Sequence, residues 1–169
     1  PWPEAPDGDG LSLVLRSPSS APDHDYPPNW RSSTTPNGIP GSSDPDLLAG
    51  SPLNDDDENG ISNLVQHAFS VPGGPMIQPS ATIERFVNGD DAADYMTFTY
   101  TRNPAADDIM FTVQISPDLQ NWISEGNGDI LPVRRIENED GTETLTYRYA
   151  EPAAGYEQLF GRVLIQHLP

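Results

Sequence analysis

From Pro79 onward, apolar and polar residues alternate in short runs. Met96, Phe98 and Tyr100 alternate with Thr97, Thr99 and Thr101, and Phe111, Val113 and Ile115 recur at every second position of the next run. A period of two puts alternate side chains on one face of a strand, so each run predicts a β-strand with one buried face. Residues 82–87, 131–136, 142–149 and 159–165 predict strands in the same way. Glu139-Asp140-Gly141 is a hairpin signal between two of these runs, and Pro117-Asp118 turns the chain ahead of Trp122-Ile123. Roughly seven short strands with turns between them predict an antiparallel β-sandwich. Phe98, Phe111, Val113, Trp122, Leu145, Phe160 and Val163 are its expected core.

Upstream the period changes. Asn63, Leu64, Val65, Ala68 and Phe69 recur at spacings of three and four, which predicts a short helix, and Pro72-Gly73-Gly74-Pro75 ends it. Residues 1–46 are rich in Pro, Ser, Gly and Asp and read as an extended segment. Within them Leu11, Leu13 and Leu15 form one alternating strand. A lone strand cannot bury its face, so Leu11–Arg16 is expected to pair with another. Asn29-Trp30-Arg31 and the run from Thr35 to Gly41 carry turn and extended signals. The chain thus divides into an extended segment (1–46), a loop and helix (47–74) and a mainly β unit (75–169).

Charge narrows the partners. The 169 residues carry a formal net charge of -18, with pI about 4.1. Nucleic acid and anionic lipid would both be repelled, so no nucleic-acid partner is expected. No apolar run approaches the roughly 18 residues of a spanning helix, so membrane insertion is not expected either. All eight basic residues are Arg, which removes Schiff-base chemistry, and Cys is absent, which removes disulfides, thiolates and zinc–sulfur sites. A chain that opens on Pro1 without Met is expected to be part of a longer polypeptide.

The segment from Asp55 to Gln66 holds the main candidate chemistry. With Asp55 at position one of a calcium loop, Asp57 is three, Asn59 five, Gly60 six, Ile61 seven through its carbonyl, Asn63 nine and Gln66 twelve. Alternate ligands in a tightly wound loop converge on one ion, and the glycine supplies the sharp turn. Gln66 stands where such loops carry a bidentate Glu, so the expected affinity for Ca²⁺ is weak. A second reading makes the same acids an N-terminal cap of the following helix, favoured by its dipole.

Gly10-Leu11-Ser12-Leu13, Asn29-Trp30-Arg31 and Ile39-Pro40-Gly41 resemble the end of a lamin-tail domain of bacterial surface proteins. The stretches Asp55–Phe69, Met96–Arg102, Phe111–Trp122, Glu143–Arg148 and Leu159–Ile165 together resemble a C-terminal module of large secreted proteins of planctomycetes and verrucomicrobia. The strand order is also similar to a fibronectin type III domain. This resemblance implies an immunoglobulin- or fibronectin III-like sandwich, secreted or on the cell surface. Its function would be structural or adhesive, with calcium stapling the linker and no catalysis. The partners it implies are other domains of the same polypeptide, a cell-surface protein or a polysaccharide.

The remaining candidates have plainer expectations. His67 is expected to pack half-buried on the helix, and His167 to be exposed. Asp23-His24-Asp25 is expected to be a solvated loop. Ser42, His24 and Asp44 are triad residue types, but no strand-turn-helix elbow encloses a serine. Asp107-Asp108 and Asp90-Asp91 are expected to be solvated loop acids. Trp30, Trp122, Tyr147 and Tyr149 would form a sugar-stacking platform if exposed in one row, the alternative function being carbohydrate binding beside a hydrolase.

Overall fold

The computed structural model describes residues 2–8, 10–39, 42, 44, 47–70, 74, 76–88 and 91–168, without the side chains of Asn88 and Asp91. The expected exit turn at Pro40-Gly41, the helix stop at Pro72-Gly73 and Pro75, and the acidic side chains of Asp90-Asp91 fall outside them.

The alternating runs all become strands. One sheet contains β3 (Ser80–Asn88), β4 (Asp91–Arg102), β8 (Glu143–Tyr149) and β7 (Ile130–Glu137), in the order β3-β4-β8-β7. The other contains β6 (Ile123–Ser124), β5 (Ile109–Ser116) and β9 (Phe160–His167), in the order β6-β5-β9. Every pairing is antiparallel, so the protein is mainly β with two sheets packed as a sandwich. Met96, Phe98, Val113, Ile115, Ile130, Leu145 and Tyr147 fill the space between them. The Tyr100 ring lies between those of Phe111 and Tyr147, with centroids 6.0 and 6.2 Å away.

Two expected core residues lie elsewhere, and strand parity is the reason. Ile123 stands opposite Ile115, which faces the core, so Trp122 beside it turns away. Its ring lies under the Arg162 guanidinium, 3.8 Å from the centroid, and its indole N–H donates to the Leu119 carbonyl at 3.2 Å. Gly161 also stands opposite Ile115, so Phe160 faces outward. Phe111 and Val163 are half-buried against the core as their parity requires.

The N-terminal alternation pairs as expected. β1 (Leu13–Leu15) forms an antiparallel ladder with β2 (Trp30–Ser32). Its leucines are not the main anchor, since Leu13 is 42% exposed. Buried arginines hold this segment to the sandwich instead. Arg16 donates to the carbonyls of Pro104 (2.8 Å) and Ala106 (2.9 Å). Arg31 forks onto Asp107 through Nε (3.0 Å) and Nη2 (2.9 Å). From the sandwich side, Arg102 and Arg135 donate to the carbonyls of Pro28 and Pro27. Glu143 sits fully buried among Arg16, Arg102 and Arg135.

Helix α1 (Asn63–Phe69) plugs one end of the sandwich. Phe69 meets the edges of Tyr100 and Phe111, with centroids 6.4 and 5.9 Å away. The Asn103 N–H donates to the Ala68 carbonyl at 2.9 Å. The helix stops at Ser70, whose N–H and hydroxyl both donate to the Gln66 carbonyl. Among the described residues, no helix is long and apolar enough to cross a membrane.

Candidate metal centre

The loop ahead of α1 draws most of the expected ligands together. Asp57 Oδ2 accepts from the side-chain amides of Asn59 (2.9 Å) and Gln66 (3.0 Å). Asn59 also reaches Gln66 Oε1 at 3.2 Å. Asp55 accepts from the backbone N–H of Asn59 (3.0 Å) and Gly60 (2.8 Å), and Asn59 Oδ1 from that of Ile61 (2.8 Å). Gly60 has φ +86°, the left-handed turn that favours glycine and lets the loop fold back on Asp55. Asp55, Asp57, Asn59 and Gln66 therefore share one cluster across a turn and a helical step.

Asn63 does not join it. Its amide donates to Asp56 Oδ2 (2.8 Å) and the Ser51 carbonyl (3.0 Å), and its Oδ1 accepts from the Asp56 N–H. The spacing gave no sign of this, because Asp56 at an even loop position offers a competing carboxylate. The Asp57 carboxyl lies below its ordinary value, chiefly because the Gln66 amide donates to its charged form.

The carboxylates serve the loop, not the helix terminus. The first helical amides of α1 donate to carbonyls: Asn63 N–H to Asn54 and Leu64 N–H to Pro52. Ser62, at the N-cap, makes no side-chain cap. An acidic cap would have placed Asp55 or Asp57 on these donors, and neither is there.

A hard cation at this cluster would draw on oxygen ligands. Asp55 and Asp57 would supply carboxylate oxygens, and Gln66 and Asn59 would supply amide oxygens by turning their side chains, with Asn59 giving up the bond its Oδ1 accepts from the Ile61 N–H. The donors that Asn59 and Gln66 now present to Asp57 satisfy the same oxygens an ion would occupy. Among the described residues no group of three or more His, Cys, Asp or Glu could hold a metal, so amide and carbonyl oxygens would complete any coordination here.

The loop is fastened to the sandwich on both flanks through one carboxylate. Asp108 accepts from the Leu48 N–H at 2.8 Å, and His67 Nε2 on α1 lies 3.0 Å from its other oxygen. His167 Nε2 of β9 lies 3.4 Å away. Burial by itself would raise the Asp108 carboxyl; the Leu48 N–H and His67 outweigh it and hold it below the ordinary range. Asp107 and Asp108 are thus anchors rather than the solvated loop acids expected from sequence. The signal available was their position just before a strand, which does not reveal partners tens of residues away.

The other candidates do not assemble. The Asp23 side chain caps the Asp25 N–H, the His24 ring meets the edge of Trp30, and the His24 carbonyl accepts the Trp30 indole N–H. Asp44 binds Arg31 and Thr34, so the Ser42, His24 and Asp44 types form no triad. Tyr147 and Tyr149 are buried, so the four aromatics make no exposed row. No known protein family, curated protein or solved structure matches the chain.

Proposed function

We propose that the chain is a non-catalytic structural or adhesive module of a secreted or cell-surface protein, in which a weak Ca²⁺ site staples the linker between two packed parts. The observation that carries this reading is the loop: Asp55, Asp57, Asn59 and Gln66 converge on one another while the helix amides take carbonyls. A cation there would relieve the repulsion of two carboxylates and hold the loop against α1. Leu48 and His67 then transmit that order to the sandwich through Asp108. The burial of Tyr147 and Tyr149 supports this reading over carbohydrate binding, which needs exposed rings.

Without a Glu at position twelve, the expected dissociation constant is in the weak extracellular range, roughly 10⁻⁴ to 10⁻³ M. Ligation of the folded state alone would add about 2.7 kcal/mol at a hundredfold excess over that constant. The test is a melting series in calcium raised to roughly 10–100 mM, the hundredfold excess, and in chelator. Wild type should melt higher in calcium, the double variant Asp55→Ala with Asp57→Ala should not respond, and Gln66→Glu should respond at lower calcium. No calcium shift in wild type, or an equal shift in the double variant, rejects the site.

A further inference from the structure

The sandwich is one strand short on one side. The sheet β3-β4-β8-β7 has four strands and the sheet β6-β5-β9 has three. β4 and β5 face strands of the opposite sheet, but β3 overhangs the side where β9 ends its sheet. The consequence shows in one register pair. Ile83 on β3 stands opposite Met96 on β4, so both share the core-facing side. Met96 is 2% exposed and Ile83 is 59% exposed. Two adjoining grooves of about 590 and 560 Å³ open along this overhang, both lined by Ala81 and Leu159. Val163 lines one, and Ile83 the other.

The edge of β9 beside these grooves is ready to pair. The Leu168 N–H donates to the Asp108 carbonyl at 2.7 Å, which makes these two a hydrogen-bonded antiparallel pair. Alternation from that pair directs the backbone groups of Arg162, Leu164 and Gln166 at β5 and turns those of Gly161, Val163 and Ile165 outward. The Val113 backbone, opposite Val163, agrees, since it exchanges hydrogen bonds with Glu125 on the far side of β5. Among the described residues β9 has no second strand neighbour.

The other edges are guarded in ways that β9 is not. β7 carries Pro132 and a register break there, β6 is two residues long, and β3 bears Glu84 and Arg85. β9 runs for eight residues with no proline and no acid, and its one arginine lies over Trp122. We infer that the edge of β9, open among the described residues, is a docking site for an extended segment of another polypeptide, which adds a fourth strand to this sheet and lays alternate apolar side chains into the groove lined by Ala81, Phe98 and Val163. Each chain carries -18, so a second copy is repelled and the docked segment is neutral or basic. Its backbone supplies the ladder and the groove selects small apolar residues at every second position.

The test uses the full chain and a blocked octapeptide of alternating valine and threonine with lysine at both ends. Saturable binding is expected, with amide exchange of Gly161, Val163 and Ile165 slowed at least ~10-fold while Arg162 and Leu164, already paired to β5, are unchanged. Ala81→Lys puts a charge in this groove at an exposed position and should weaken binding ~10-fold. Leu164→Lys, on the outer face, should leave it intact; both variants should melt like wild type. Absence of binding at millimolar peptide, or protection elsewhere on the chain, overturns the inference. Protection of the same three amides in peptide-free protein that grows with protein concentration overturns it in favour of a second copy.

Discussion

Replacing Glu143 with Gln tests the cationic core that joins the N-terminal segment to the sandwich. The carboxylate is fully buried, with Oε1 accepting from Arg102 Nε at 2.6 Å and lying 3.9 Å from Arg16 Nη1, while Oε2 pairs with Arg135. Burial by itself would raise this carboxyl; Arg102, Arg135 and Arg16 outweigh it and hold it below the ordinary range. Burial and the neighbouring Arg102 in turn lower Arg16. Glu143→Gln keeps the shape and deletes the negative charge that these three guanidiniums share. Removing one partner from a buried ionic cluster costs about 3–5 kcal/mol. For a chain of 169 residues that is a fall in melting temperature of roughly 6–20 °C. Urea unfolding followed by tryptophan fluorescence measures it directly, because Trp30 sits on the docked segment and Trp122 on the sandwich. The pH dependence carries a sign. A carboxyl lowered by folding stabilises above its unfolded value, near 4.3, and that stability is lost as pH falls through its folded value. The gap between wild type and variant should therefore be full at neutral pH and shrink below about pH 4. A loss under about 1 kcal/mol at pH 7, the scale of an exposed pair, would refute the reading that Glu143 organises this core.

Two further substitutions probe the packing. Gly161→Ala drives a Cβ into the buried Phe98 ring, which must shift to admit it, so denaturant titration should show a loss of about 1–3 kcal/mol. Arg31→Lys removes the fork onto Asp107 and the bonds to Asp44, at a cost of about 2–3 kcal/mol; hydrogen exchange should quicken at Leu13–Leu15 and stay unchanged across β4 and β8.

The sequence by itself determined the local elements. Alternation and turn signals marked the longer strands of the sandwich, the change to spacings of three and four marked α1, and the lone leucine row announced that β1 needed a partner. It also brought Asp55, Asp57, Asn59 and Gln66 into one loop, because ligand spacing within a dozen residues is a local property. Only the tertiary structure decided what depends on distant partners. Trp122 and Phe160 left the core because their neighbours Ile123 and Gly161 took the inward parity against Ile115, and register across strands is not written in either strand alone. Asn63 left the loop cluster for Asp56 and the Ser51 carbonyl. The arginines that dock the N-terminal segment find carbonyls and carboxylates 74 to 108 positions away, as with Arg102 to Pro28, Arg31 to Asp107 and Arg135 to Pro27. A buried charge must meet its partner wherever the fold brings one, so a composition that reads as solvated and Pro-rich became a segment held by its few cations.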